Sequence, residues 1–388
     1  MLLTLTATGA VAQAALPQDW VHASAHMQKG APAAALPHLE SLVRAYPSEP
    51  TYRLELAYAL FQLEKDARAE YHFRQALGAG LSPQRQAIVK SFLDKIAARK
   101  LLHWRFSIAA VPATNAGKRT SATQITAGGL TFDLGPQDRA QSATGLDISA
   151  GITALPHLGQ NLRATLSFDT LVRHYKEKRL RELHLNARAG LRYTLAAGTH
   201  IEGGALIGRQ FRGHDHYADR IGVFAAYLTP LGSRAYGRFG IQHFDEIYPA
   251  FPGADGDRTV VEASVNYAVG ARTVLRFSGY AMRTDATSAL QSGWRHGLSA
   301  GTTFAFDGGL VTTADVSFGR DRRDGIGALS GVARSDRSLG INASVYHSNI
   351  RFGPFTPVVG IGWERHRSNR RINSFSNTSL SLGLTSVF

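Results

Sequence analysis

Residues able to make or break bonds, or to hold a metal, are few in this chain and poorly spaced for the work. His214-Asp215-His216 brings two imidazoles and a carboxylate together. These are donor types that a divalent metal uses, but in a spacing no metal motif follows, and a polar loop is the expected setting. Gly253-Ala254-Asp255-Gly256-Asp257 has carboxylates two positions apart, as calcium loops do, without the rest of the ligand set; a Gly-rich turn is expected there. Residues 325–331 lack the Lys-Ser/Thr pair and the strand-to-helix setting of a phosphate loop. No Gly-x-Ser-x-Gly elbow falls in a usable place. There is no cysteine, which removes disulfides, thiol nucleophiles and cysteine metal sites. The expectation is a protein that is not an enzyme, with no catalytic residue, no metal and no cofactor.

Charge offers chemistry of another kind. The formal net charge is +14, spread through glycine-rich extended stretches instead of gathered in one patch or helix. That spread argues against a nucleic-acid partner. It suits contact with anionic outer-membrane lipid and lipopolysaccharide, or a basic lumen. Arg163, Arg188, Arg192, Arg238 and Arg276 are the candidates for a lumen ladder that attracts anions. They could equally pair with Asp147, Asp169 and Asp315 as structural plugs, since buried charge must be compensated either way.

Such a lumen exists only if extended segments close on themselves. The C-terminal residues 376–388 place Leu380, Leu382, Leu384 and Phe388 on one side of a period-2 strand, with Asn377, Ser379, Ser381, Gly383 and Thr385 opposite. In a transmembrane barrel that strand closes against the first, apolar side chains to lipid and small polar ones to the lumen. A terminal Phe with alternating leucines resembles the signal read by the barrel-assembly machinery; Ser386 departs from it. Residues 183–195 and 162–173 show the same alternation. Glycine numbers 39, charged residues are 19% of the chain, and mean hydropathy is −0.14, values that a barrel and a soluble all-β protein both give.

The connections discriminate. Short ones at 155–160, 196–198, 229–233, 270–271, 307–309 and 347–353 alternate with longer polar ones at 174–181, 212–218, 245–257, 284–292, 321–335 and 367–375. This is the asymmetry of an outer-membrane barrel, turns in the periplasm and loops outside. Counting back from Phe388, the strand at 123–133 must rise from the periplasm. Including residues 104–113 would give an odd count starting on the wrong side, so 103–122 reads as a linker and 123–388 as a barrel of fourteen antiparallel strands.

Residues 1–14 read as a signal peptide, with Ala12-Gln13-Ala14 as cleavage site but no basic n-region. Residues 15–102 are helical in period and self-match at a spacing of 34: Ala23 with Ala57, Ala35 with Ala69, Leu39 with Phe73, Leu42 with Ala76. The pattern resembles tetratricopeptide repeats, with a plain helical bundle as the other reading. Such repeats bind peptide segments in a concave groove, where Tyr52, Arg53 and Tyr58 are the candidates.

A periplasmic repeat domain joined to a fourteen-strand barrel ending in Phe, with the Trp104–Asn115 junction and the Gly128-Gly129-Leu130-Thr131-Phe132 barrel start, resembles the surface lipoprotein assembly modifier family. The resemblance implies an α+β multidomain protein of the bacterial outer membrane. It implies a factor that delivers surface lipoproteins, or secreted haem- and metal-scavenging proteins, across that membrane. The alternative is a passive anion-preferring porin with a helical periplasmic appendage; a soluble two-domain protein is a further one.

Overall fold

The computed structural model describes residues 17–386 except 80, 100, 197, 271 and 329. The signal-peptide reading of 1–14 and the terminal Phe388 lie outside the described residues. The described residues form two compact units, divided between Ile96 and residue 97.

The first unit is helical. Among the described residues it has five helices: α1 Gln18–Gln28, α2 Pro32–Ala45, α3 Pro50–Gln62, α4 Asp66–Leu77 and α5 Pro83–Arg99. Proline opens α2 and α3, where its missing N–H is no loss, and the Glu49 side chain accepts a hydrogen bond from the Thr51 N–H at 3.1 Å. All eight self-matching positions are buried. The five alanines let α1, α2, α3 and α4 approach closely, while Leu39, Leu42 and Phe73 fill the space between. Phe92 of α5 stacks on Phe73 at 5.3 Å between centroids and so closes the core.

The second unit is a closed barrel of fourteen antiparallel strands. Its strands are β1 Leu102–Ala113, β4 Ala143–Ala154, β5 Leu162–Tyr175, β6 Glu182–Ala196 and β7 Thr199–Arg212. They continue with β8 Asp215–Leu231, β9 Ala235–Ile247, β10 Gly256–Ala268, β11 Thr273–Ala286 and β12 Gly293–Ala305. The last four are β13 Leu310–Ile326, β14 Ala333–His347, β15 Phe355–Ser368 and β16 Phe375–Ser386. Each pairs with its sequence neighbour, and β1 closes the ring between β16 and β4. No helix among the described residues is long and apolar enough to cross a membrane; the crossing is made by strands.

The strand count stands, but its first member does not. Residues 104–113 are no linker: they lie in β1, hydrogen-bonded to β4 from Leu102 to Ala113. Residues 123–133 are no barrel strand. They fold into a separate hairpin, β2 Gln124–Ala127 against β3 Leu130–Asp133. Gly128 and Gly129 turn it with φ of 59° and 78°, a left-handed pair that suits a tight hairpin turn and that side chains disfavour. A stretch that looked like one strand in period is thus two, bent at the glycines. The barrel therefore starts at 102, and 114–142 is its first long-side connection.

The two ends differ as expected, though less in length. β1 starts, and β16 finishes, at the end carrying 155–161, 197–198, 232–234, 269–272, 306–309 and 348–354. The opposite end carries 114–142, 176–181, 213–214, 248–255, 287–292, 327–332 and 369–374. Ladders run on into the polar segments: 321–335 shrinks to 327–332 because β13 and β14 stay paired. Polarity ends the apolar belt without ending the hydrogen-bonded ladder.

Candidate functional site

Side-chain alternation assigns the two faces. Leu380 and Leu382 are exposed, the latter at 49%; Leu384 lies opposite Ile108 and Leu382 opposite Ala110 on β1. These leucines face outward, with Ser379, Ser381 and Gly383 turned to the lumen. Toward the end where β1 starts, Phe355 packs on Trp104 at 6.2 Å and on Phe106 at 5.7 Å. These rings, with Ile152 and Phe168, line a shallow apolar hollow on the outer face.

Of the five lumen arginines, Arg192 and Arg238 are neutralised by carboxylates along the wall. Arg192 donates to Glu202 at 2.7 Å, and Arg238 pairs with Glu262. Arg188 donates to Gln242 Oε1 at 3.2 Å and lies over the Phe224 ring at 5.3 Å. Arg163 neighbours Arg192 across the β5–β6 register, and Arg276 lies opposite Asn266 and Gly301. The three aspartates find other partners than these five arginines. Asp147 meets Arg173 at 3.4 Å, Asp169 pairs with Arg105, and Asp315 accepts from Asn342 at 3.2 Å. Arg105 reaches Asp169 by crossing Gly151, where any side chain would collide with both. Pairing between nearby strands, not across the lumen, is the arrangement.

The ring is least complete where its ends meet. β16 pairs with Ser107–Ala110 and again at Ala113, while every other ladder of the barrel runs ten residues or more. The gap falls on Val111 and Pro112, and proline has no N–H to give, so it is confined to edges and breaks in sheets. Phe106 N–H donates to the Ser386 hydroxyl at 2.8 Å. Beyond the gap the Thr114 N–H donates to the Thr378 carbonyl at 2.9 Å, and side chains hold the rest of the outer end. Asn115 is 2% exposed and Asn377 8%; Asn115 N–H donates to Asn377 Oδ1 at 2.9 Å. Asn115 Nδ2 donates to the Ser376 and Arg119 carbonyls at 3.0 and 2.7 Å. Asn377 Nδ2 reaches Glu364 at 3.3 Å, and Lys118 Nζ reaches Glu364 at 2.9 Å. The strand proline was the sequence signal that could have marked residues 104–113 as a seam strand; the two asparagines carry no signal without the register.

In the helical unit the three groove candidates separate. Tyr52 is half-buried, 5.1 Å from Trp20 and 5.7 Å from Tyr46, and Tyr46 is exposed, so these rings make an aromatic ledge. Arg53 is only 8% exposed and donates to the Pro47 carbonyl at 3.0 Å, bracing the turn before α3. Tyr58 packs on Phe92 at 5.4 Å in the core. Arg53 and Tyr58 therefore support α3 and offer little to a client. Glu55, one helical turn from Tyr52, was missed. It is half-buried with no hydrogen bond or ion pair among the described residues, and burial raises its carboxyl above the usual range.

The remaining candidates do not converge. His216 turns to Asp219 at 3.0 Å, and His214 to Arg181 at 3.4 Å. Asp255 accepts from the Tyr248 N–H at 2.6 Å, closing its loop. Gly297-Leu298-Ser299-Ala300-Gly301 has the spelling of a nucleophile elbow but runs through the middle of β12, where Ser299 bonds Ser278 at 2.7 Å.

A family model described as surface lipoprotein assembly modifier matches residues 104–388, beginning inside β1 and spanning the barrel. A search of curated proteins gives no match. Solved structures resemble the chain loosely. The outer membrane channel DcaP of Acinetobacter baumannii has 7% identity, covering 74% of this chain and 97% of its own, at a TM-score of 0.44. An anion-selective porin from Comamonas acidovorans has 10% identity, 74% and 99% coverage, and a TM-score of 0.40. A Pseudomonas aeruginosa FadL homologue has 10% identity, 77% and 91% coverage, and a TM-score of 0.39.

Proposed function

Since the chain belongs to the surface lipoprotein assembly modifier family and is an outer-membrane barrel protein, we propose that it moves particular lipoproteins outward through a path opening at its β1–β16 seam. The family itself fixes the coarser statement, surface lipoprotein assembly through an outer-membrane barrel. The clients proposed are surface lipoproteins or related secreted proteins of the haem- and metal-scavenging type.

The observation that carries the route is the short β1–β16 ladder interrupted at Pro112. A lipoprotein is a polypeptide with acyl chains. Drawing acyl chains out of the bilayer into a lumen lined by Arg192, Glu202, Arg238 and Glu262 loses about 0.8 kcal/mol for each methylene. That is roughly 10 kcal/mol or more for one long chain. A side opening lets the acyl part stay in the bilayer while the polypeptide uses the polar interior. The apolar hollow of Trp104, Phe106, Ile152 and Phe355 lies beside that opening and suits an acyl chain at its start.

The helical segment enters β1 at the short-turn end, which is periplasmic in outer-membrane barrels, so it lies in the periplasm and receives clients before passage. Its tetratricopeptide-like hairpins present Trp20, Tyr46 and Tyr52 beside Glu55, a ledge for an apolar and cationic peptide segment. No bond is made or broken, and no cofactor is needed. The second reading, an anion-preferring porin, draws on Arg276, which faces the lumen with no hydrogen bond or ion pair among the described residues. The pairing of Arg192 with Glu202 and of Arg238 with Glu262 weakens that reading.

The test compares surface-shaved and secreted proteins of the native host with and without this gene. Loss of one or two lipoproteins from the surface, with their retention inside, supports the reading and names the client. An unchanged profile, together with anion-selective single-channel conductance, moves the function to a porin.

A further inference from the structure

The outer face of the barrel carries a concentration of positive charge that no carboxylate among the described residues pairs with. His296 on β12 lies directly opposite Arg320 on β13; Arg320 lies opposite Arg337 on β14, and Arg337 opposite Arg367 on β15. Arg322 and Arg365 flank this row on the same face. All six share the parity of Leu298, Phe318, Leu339 and Ile361, which are exposed, Leu298 at 69%, so they point away from the lumen.

Directly opposed residues of a sheet hold their Cβ atoms about 5 Å apart, and like charges in that position repel. Three arginines in adjacent register would be selected against unless an anion sits among them. None of the five arginines has a hydrogen bond or ion pair to its side chain among the described residues. The Arg320 Nε is buried without a partner, an orphaned donor of the kind that folded proteins avoid. Exterior arginines elsewhere are treated differently. Arg209 has Asp219 at 2.7 Å, and Arg283 has Asp285 and Asp324 at 2.6 and 2.8 Å.

Position identifies the anion. The row sits at the end opposite the β1 start, two residues beyond the outward apolar positions Leu298, Phe318 and Leu339. Trp294 and Trp363 stand at its margins on the same face, as aromatic side chains do at a membrane interface. A ligand there has acyl chains against Phe318, Leu339 and Ile361 and anionic groups level with the arginines. Arginine forks match phosphate oxygens in paired hydrogen bonds. We propose that β12–β15 form a binding site for the phosphorylated glycolipid of the outer leaflet, lipopolysaccharide. Its lipid A phosphates would be held by Arg320, Arg337 and Arg367 and its acyl chains by the apolar rows below. The site is independent of the seam and of the client.

The experiment uses the full chain, purified and placed in phosphatidylcholine nanodiscs, and measures binding of lipid A. The variants are Arg320→Gln/Arg337→Gln/Arg367→Gln together, the exposed Arg337→Gln alone, and Arg209→Gln as an exterior arginine outside the row. Heat-modifiable migration in gels reports barrel folding for each. The expected result is a loss of roughly tenfold or more in lipid A affinity for the triple variant. A smaller loss is expected for Arg337→Gln, and none for Arg209→Gln. Lipid A stripped of phosphate should bind weakly, and millimolar inorganic phosphate should not displace intact lipid A. Equal affinity of wild type and Arg337→Gln or the triple variant overturns the site. An equal loss with Arg209→Gln reduces it to general charge and overturns it too. Tight binding of phosphatidylglycerol in place of lipid A assigns the surface to phospholipid and overturns the glycolipid assignment.

Discussion

If passage uses the β1–β16 seam, fastening that seam must stop it without harming the barrel. Even-numbered residues of β1 direct their N–H groups at β16, as Phe106 and Thr114 do. Ser107 and Thr385 therefore form a non-hydrogen-bonded pair, with Cα atoms about 4.5 Å apart, within disulfide range. The chain has no cysteine of its own, so Ser107→Cys/Thr385→Cys gives one defined crosslink. The ladder it reinforces has five paired positions. At roughly 1 kcal/mol of net hydrogen bonding per position, opening it costs roughly 5 kcal/mol, against roughly 12 for the twelve-position β1–β4 ladder. At 1.4 kcal/mol per tenfold, the seam is open in about one molecule in several thousand, and an ordinary ladder in about one in several hundred million. Only the first is a population a client could trap. The assay is protease accessibility of the client lipoprotein on intact cells, oxidised and then reduced. Surface display should fall at least tenfold in the oxidised double variant and return with reductant, while single cysteine variants stay at wild type. Full display through a verified crosslink would refute a seam route. A matched crosslink at a lumen-facing, non-hydrogen-bonded pair of β10 and β11, Ser264→Cys/Ser278→Cys, should leave display unchanged.

Three further outcomes follow from the same geometry. Asn377→Ala leaves the buried Asn115 N–H without its acceptor, a cost of about 1–3 kcal/mol; it should lower the temperature at which the barrel loses its compact gel migration. Ala57→Leu inserts a large side chain at a fully buried helix contact and should cost about 1–3 kcal/mol. Helical circular dichroism should melt earlier while the barrel transition stays put. Glu55 has its carboxyl raised by burial, so its charged form opposes folding above the folded value and this penalty disappears as pH falls to the unfolded value. Glu55→Gln should therefore raise the helical melting temperature near neutral pH, with the difference vanishing toward pH 4; a difference that grows on acidification would contradict the assignment.

Much of the fold was open to period-counting because a membrane barrel writes its two environments into alternate residues. Leu380, Leu382 and Leu384 showed their face in the sequence and keep it, and the alanines of the helical unit announced their close contacts. Residues 104–113 and 123–133 were exchanged because period 2 does not say whether an extended stretch stays straight. The Gly128-Gly129 turn and the meaning of Pro112 depend on what lies alongside. The candidate sites were harder to read for a related reason. Which arginine meets which carboxylate is set by register, and register is a relation between distant segments. Arg192 and Arg320 look alike in sequence; one is paired with Glu202 on the lumen wall and the other lies opposite Arg337 on the outer face.

The proposed outward passage of a lipoprotein should be conferred by this chain in a foreign host. Its most direct test expresses the client named by surface shaving in a Gram-negative host that has no relative of this family, with and without the full chain. Antibody labelling of intact cells then counts client molecules at the surface. Labelling that appears only with the chain, and disappears with the oxidised Ser107→Cys/Thr385→Cys variant, is the expected result. Client that stays inside despite correctly folded barrel in the outer membrane would contradict passage through this barrel.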